Sequence, residues 1–171
     1  MQTLSKYLNI SGSPIDDLSS LEDARMMGSC DWLTNKKSFL DWQFNETSAR
    51  YFWLTGQPAT GKSVITAHVI GSMAEYSCSY FFFKHGDQNR SSLSGLLLSI
   101  AYQMAQQCQA IRQTLLEVSQ DDWNLDKSDY RGIWRRLFVG GIFRTSFTST
   151  WVKHSAMDFA SELTFPGNIG W

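Results

Sequence analysis

The stretch Gly56-Gln57-Pro58-Ala59-Thr60-Gly61-Lys62-Ser63 constrains this chain more than any other part of it. It satisfies G-x-x-x-x-G-K-[ST] in full, and that spacing has a chemical reason. Binding a polyphosphate needs several backbone N–H groups turned inward around one anion. Glycines let a loop curl that tightly without side-chain clashes. Lys62 supplies a point charge for β- and γ-phosphates, and Ser63 offers its hydroxyl to a magnesium ion. The first turn of a following helix adds free N–H groups at its positive dipole end. A chance match in a chain of this length has a probability of about one in a hundred. The bland alternative is an ordinary glycine turn between a strand and a helix.

The flanks suit the loop. Residues 51–55, Tyr-Phe-Trp-Leu-Thr, are continuously apolar, which predicts a strand buried on both faces, as in a parallel sheet. Residues 62–76 predict a helix with Ile65, Val69, Met73 and Tyr76 on one side. Tyr80-Phe81-Phe82-Phe83 predicts a second buried strand, and the polar loop from His85 to Ser92 follows it. Leu93, Leu96, Leu97, Ile100, Ala101 and Met104 then mark the cleanest helical period in the chain. Further helices are predicted over 109–119 and 128–139. Upstream, Ser13-Pro14 opens a helix through Ile15, Leu18 and Leu21 that Gly28-Ser29 ends. Another is expected at 35–44, capped by Asn35, with Phe39, Leu40 and Trp42 beside Leu33. Residues 1–12 read as a frayed start, and 144–171 show no sustained period. The alternation of strand, loop and helix predicts the α/β class.

At 171 residues, one domain is expected. With 43% hydrophobic and 18% charged residues, the composition excludes a disordered chain and a coiled coil. Fifteen Lys+Arg against sixteen Asp+Glu leave a net charge of −1, so no basic excess points to a nucleic-acid backbone or an anionic membrane. No apolar stretch approaches the ~18 residues of a membrane span, and the N-terminus lacks a signal-peptide core. Cys30, Cys78 and Cys108 are odd in number and far apart, which fits a reducing, cytoplasmic compartment. His68, His85 and His154 have no partners at zinc-ligand spacing, and His68 reads as a half-buried packing residue. Asp87 and Arg90 flank a loop that could hold a functional carboxylate or be simply solvated. Asp121-Asp122 and the run from Asp126 to Asp129 read as a solvated connector.

Four segments together carry a family resemblance: GSCDWL (28–33), YFWLTGQPATGKS (51–63), SYFFFKHGDQNR (79–90) and LSGLLLSIAYQM (93–104). Their order resembles the NACHT-type NTPase domains of fungal NOD-like receptor proteins. That group is also described as the nephrocystin 3-like N-terminal domain, within the STAND class of signalling ATPases. Ile133-Trp134 with Leu137-Phe138 is similar to the family helix preceding its second acidic motif. The resemblance runs from about residue 21 to about 143, leaving 1–20 before it and a divergent tail, 144–171, after it. It implies a three-layer P-loop NTPase fold with an incomplete parallel sheet and flanking helices. It also implies that Gly56, Gln57, Pro58, Ala59, Thr60, Gly61, Lys62 and Ser63 bind ATP or GTP, with magnesium on the Ser63 hydroxyl. In the intact family nucleotide exchange controls self-association and signalling through attached domains, so the resemblance implies as partners the nucleotide, and a second copy or a full-length relative.

Two departures matter. Ala59 stands where many members carry another glycine. Downstream, Trp151-Val152 looks like the start of the strand bearing the second acidic motif, yet Lys153 and His154 follow, and Asp158 comes too late. The chain therefore reads as truncated before that motif, with no effector domain before residue 21 and no repeat domain after 143. Hydrolysis is not expected from it, because phosphoryl transfer needs metal, water placement and charge stabilisation together. In the implied fold the two aromatic strands are not neighbours, so each leaves backbone groups in need of partners. Two other readings stay open. One is a non-catalytic fragment acting only by association with a relative. The other is a small P-loop kinase, which needs an arginine-rich lid, whereas Arg131, Arg135 and Arg136 suit a solvated helix face.

Overall fold

The computed structural model describes residues 1–10, 12, 14–44, 51–121 and 125–145. Ser13, Asp122, the Trp151-Val152 segment and nearly all of the tail lie outside the described residues. Among those described, the chain forms helices α1 (Gln2–Tyr7), α2 (Pro14–Asp23), α3 (Asp31–Thr34), α4 (Lys37–Phe44), α5 (Lys62–Ser72), α6 (Leu93–Gln107), α7 (Gln109–Asp121) and α8 (Tyr130–Ile133). A π turn (Trp134–Val139) and a 3-10 turn (Ile142–Arg144) complete them. There is no β-strand among the described residues, which overturns the expected α/β fold with an incomplete parallel sheet. The described chain is helical.

The physical reason lies in the two aromatic segments. Residues 51–55 are extended, but nothing described pairs with their backbone, and only alternate side chains are covered. Phe52 packs edge-on against Phe39 of α4, with centroids 5.5 Å apart, and lies 5.8 Å from Trp42. Tyr51 and Trp53 are instead 64% and 83% exposed. One covered face therefore replaces the two that the apolar run predicts. In residues 79–83 a side chain stands in for a neighbouring strand. The Tyr80 N–H donates to Gln103 Oε1 at 3.1 Å, and Gln103 Nε2 donates back to the Tyr80 carbonyl at 2.8 Å. At Tyr80 this closes the two backbone bonds a ladder would have supplied.

The chain divides into two compact units, the first comprising residues 1–19 and 79–146, the second 20–78 and 147–171. In the first, α6 packs against α7 and α8, and α1 lies on α7. The core is formed by Leu4 and Leu8, Leu97, Ala101 and Ala105, Ile111 and Leu115, and Ile133, Leu137 and Ile142. The opening residues, read as frayed, thus contribute a buried turn of helix. Ser92 caps α6 by accepting the Gly95 N–H. At the other end, Arg112 donates to the carbonyls of Ala105 and Gln106, a cation closing a helix C-terminus. The expected helix over 128–139 starts at Tyr130, capped by Asp129, and passes into the π turn, where Trp134 stacks on Phe138.

Among the described residues of the second unit, Cys30, Leu33, Phe39 and Ala67 are the buried hydrophobics. Asn35, expected to open the helix over 35–44, instead closes α3, and α4 begins at Lys37. Among the described residues no helix is long and apolar enough to cross a membrane.

Gln103 offers a direct test of the substituted ladder. It is buried and also donates to Ser99 Oγ at 3.1 Å. Gln103→Leu leaves both Tyr80 backbone groups without this partner, so urea unfolding should show a loss of about 2 kcal/mol. A change below about 0.5 kcal/mol would mean that solvent satisfies Tyr80 equally well.

Candidate functional site

Residues 56–63 lie wholly in the second unit, where the chain turns out of the extended segment and into α5. Two positions need left-handed backbone. Gly61, the N-cap of α5, has φ +81°, and a side chain there is strained although no atom lies within 4 Å. Ala59 has φ +63°, one of the few non-glycine residues in that region. Holding it there costs about 1 kcal/mol. The sequence departure at Ala59 thus falls where glycine would relieve strain. A Cβ on Gly56 would stand 2.9 Å from Thr60 Oγ1, so the two ends of the turn approach closely.

Polar contacts hold this curl. Thr60 Oγ1 donates to the Gln57 carbonyl at 2.7 Å. Lys62 Nζ reaches back to the carbonyls of Gly56 at 2.8 Å and Gln57 at 2.6 Å. The ammonium therefore sits inside the curve of the loop. Gly61 provides no side-chain cap, and its carbonyl takes the Ile65 N–H. The N–H groups of Lys62, Ser63 and Val64 are thus first-turn donors without an intrahelical acceptor. Ser63 is exposed on the same turn. All eight predicted residues are brought together in one exposed turn, with the cation and the free donors at one end.

Behind the loop, α5 is tied to α3. His68 Nε2 lies 3.6 Å from Asp31 Oδ1 and 3.5 Å from Thr34 Oγ1. With its side chain 16% exposed, His68 is the packing residue its place on the helix suggests. Burial pushes the Cys78 thiol above its ordinary pKa, away from nucleophilic thiolate character.

The other candidates have structural partners in the first unit. Arg90 forms a salt bridge with Asp17 and approaches Asp87 at 3.5 Å. The hydrogen bond with Asp17, chiefly, holds its guanidinium still more firmly protonated. Asp87 Oδ1 accepts the N–H groups of Asn89 and Arg90, so this carboxylate shapes its own loop. Asp126 accepts the Ser128 N–H and hydroxyl, which holds its carboxyl below the usual range. Arg131 lies over the Tyr130 ring at 5.7 Å and bonds its hydroxyl. Sequence reasoning missed Gln103, whose role has no local pattern because its partner is 23 residues away.

Fold and site together define a helical chain with a lysine-bearing glycine loop opening one helix. The family model described as Nephrocystin 3, N-terminal, matches residues 28–157, and the chain belongs to that family. The match reaches fourteen residues beyond the 143 expected from the resemblance, through the Trp151-Val152 segment. No curated protein and no solved structure matches the chain.

Proposed function

We propose that residues 56–63 bind the phosphates of ATP or GTP, with magnesium, as the nucleotide site of a NACHT-type module of the STAND class. One observation carries this reading. The Gly61 turn delivers Lys62 and three uncapped N–H groups to the same end of the loop. A glycine turn serving only to connect segments has no need to place its cation there. The residues fit the ligand: anionic oxygens can replace the two carbonyls that Lys62 now contacts, and the helix dipole favours negative charge at that end. Ser63 supplies one hydroxyl to the metal. No described group of three His, Cys, Asp or Glu side chains forms a metal site of its own. The sequence at Lys153 and His154, where the family's acidic motif is expected, supports binding without efficient hydrolysis.

The test is a titration of the full chain with a methylanthraniloyl-ATP probe and magnesium, read by tryptophan-sensitised emission. Trp53 stands just before the loop. Saturable emission that excess ATP or GTP displaces, and that EDTA weakens, is expected. A linear, undisplaced signal contradicts the reading.

A second reading, association with a relative alone, is favoured by one observation: Tyr51 and Trp53 project from an unpaired extended segment. Loss of the probe signal with retained association would select it.

A further inference from the structure

We infer that His68 is a positioning residue for the phosphate loop, holding α5 at the angle that aims its first-turn N–H groups. This role rests on the phosphate-binding reading of residues 56–63 and adds to it a residue outside the loop. Ala67 is the only residue that α5 buries, so apolar packing alone fixes this helix weakly. His68, next to it, turns its Nε2 toward two oxygens of α3, Asp31 Oδ1 at 3.6 Å and Thr34 Oγ1 at 3.5 Å. The Thr34 hydroxyl gives its own proton to the Asp31 carbonyl, at 3.3 Å. It therefore meets Nε2 as an acceptor, as the Asp31 carboxylate does, which assigns the hydrogen to Nε2. His68 is thus a donor shared between two acceptors of one helix.

Nothing else on α5 does this among the described residues. Thr66 donates to the Lys62 carbonyl and Ser72 to that of Val69, both within the helix. Gly71, one turn beyond His68, has no side chain for the nearby Glu22 carboxylate to hold. The place of the tie matters to the loop. Six residues separate His68 from Lys62, about 9 Å along the helix axis. A tilt of about 10° at His68 moves the Lys62, Ser63 and Val64 N–H groups by roughly 1.5 Å. A binding constellation has to be held within about 0.5 Å. A donor that fixes the tilt of α5 therefore fixes the aim of the loop.

The test compares dissociation constants for methylanthraniloyl-ATP with magnesium across variants of the full chain. Urea unfolding of each variant gives its folded fraction, so that the constants refer to folded chain. His68→Leu removes the donor and should weaken binding about fivefold, the worth of one hydrogen bond. His68→Gln sets an amide N–H where Nε2 stood and should bind within about twofold of the parent. Asp31→Ala combined with Thr34→Val removes both acceptors from the α3 side and should also cost about fivefold. Adding His68→Leu to that pair should cost less than about a further twofold, because the contact is already gone. Losses that multiply, or His68→Gln binding as weakly as His68→Leu, would overturn the role. Lower urea stability in His68→Leu with unchanged affinity would make His68 a packing residue only, and leave the phosphate reading standing. A parent chain that binds no nucleotide contradicts the phosphate reading and this role with it.

Discussion

Gly95→Ala should destabilise the chain by about 3 kcal/mol, the upper end of what overpacking ordinarily costs. The substitution looks favourable from propensity alone, since alanine is about 1 kcal/mol better than glycine inside a helix. Position 95, however, lies in the first turn of α6, where the backbone of the preceding loop passes very close. A Cβ there would stand 1.6 Å from the Asn89 carbonyl oxygen and 2.8 Å from its carbon. Both are backbone atoms, so neither can rotate away. The loop is held from the other side, because the Lys84 N–H donates to the Arg90 carbonyl and Arg90 pairs with Asp17. Relief therefore means moving α6 or breaking these contacts. Gly71→Ala in α5 supplies the contrast. Its Cβ would approach only the end of the Glu22 side chain, at 3.1 Å, and that carboxylate can swing aside. Gly71→Ala should be stabilising by about 0.5 kcal/mol. Urea unfolding of the two variants should give shifts of opposite sign.

Lys62→Ala should weaken nucleotide binding by roughly 10- to 100-fold, the equivalent of one charge-assisted hydrogen bond. Its effect on stability should be small. The two bonds Lys62 makes to the Gly56 and Gln57 carbonyls are exposed to solvent, so water takes the place of the ammonium. Alanine also suits the first turn of a helix. The variant should therefore unfold within about 0.5 kcal/mol of the parent chain while losing most of its affinity. Matching losses in both quantities would assign Lys62 to holding the loop rather than to holding phosphate.

The helices were legible because their cause is local. Leu97, Ala101 and Ala105 are spaced so that one face of α6 is apolar before any tertiary contact exists. The loop was legible for the same reason: its glycines, lysine and serine lie within eight consecutive residues. The sheet was a different kind of inference. Tyr51 to Leu54 and Tyr80 to Phe83 have strand propensity, but a strand is completed by distant partners that no local pattern reports. In the described chain Gln103 supplies one such partner, and Phe39 with Trp42 covers a single face of the other segment. The segment α1 gives no helical signal of its own, because its sequence, QTLSKY, is polar in composition. Leu4, Tyr7 and Leu8 are nevertheless enough to bury one side of a short helix on α7.

The central claim, that residues 56–63 cradle phosphate with backbone N–H groups, is tested most directly by amide spectra of the full chain labelled with 15N-glycine. Magnesium-ATP should shift the Gly61 and Gly56 resonances in a saturable way, and in Lys62→Ala the same shifts should need roughly 10- to 100-fold more nucleotide. If those two resonances stay fixed at saturating nucleotide, whether or not other glycines move, the loop is a structural turn and the account is wrong.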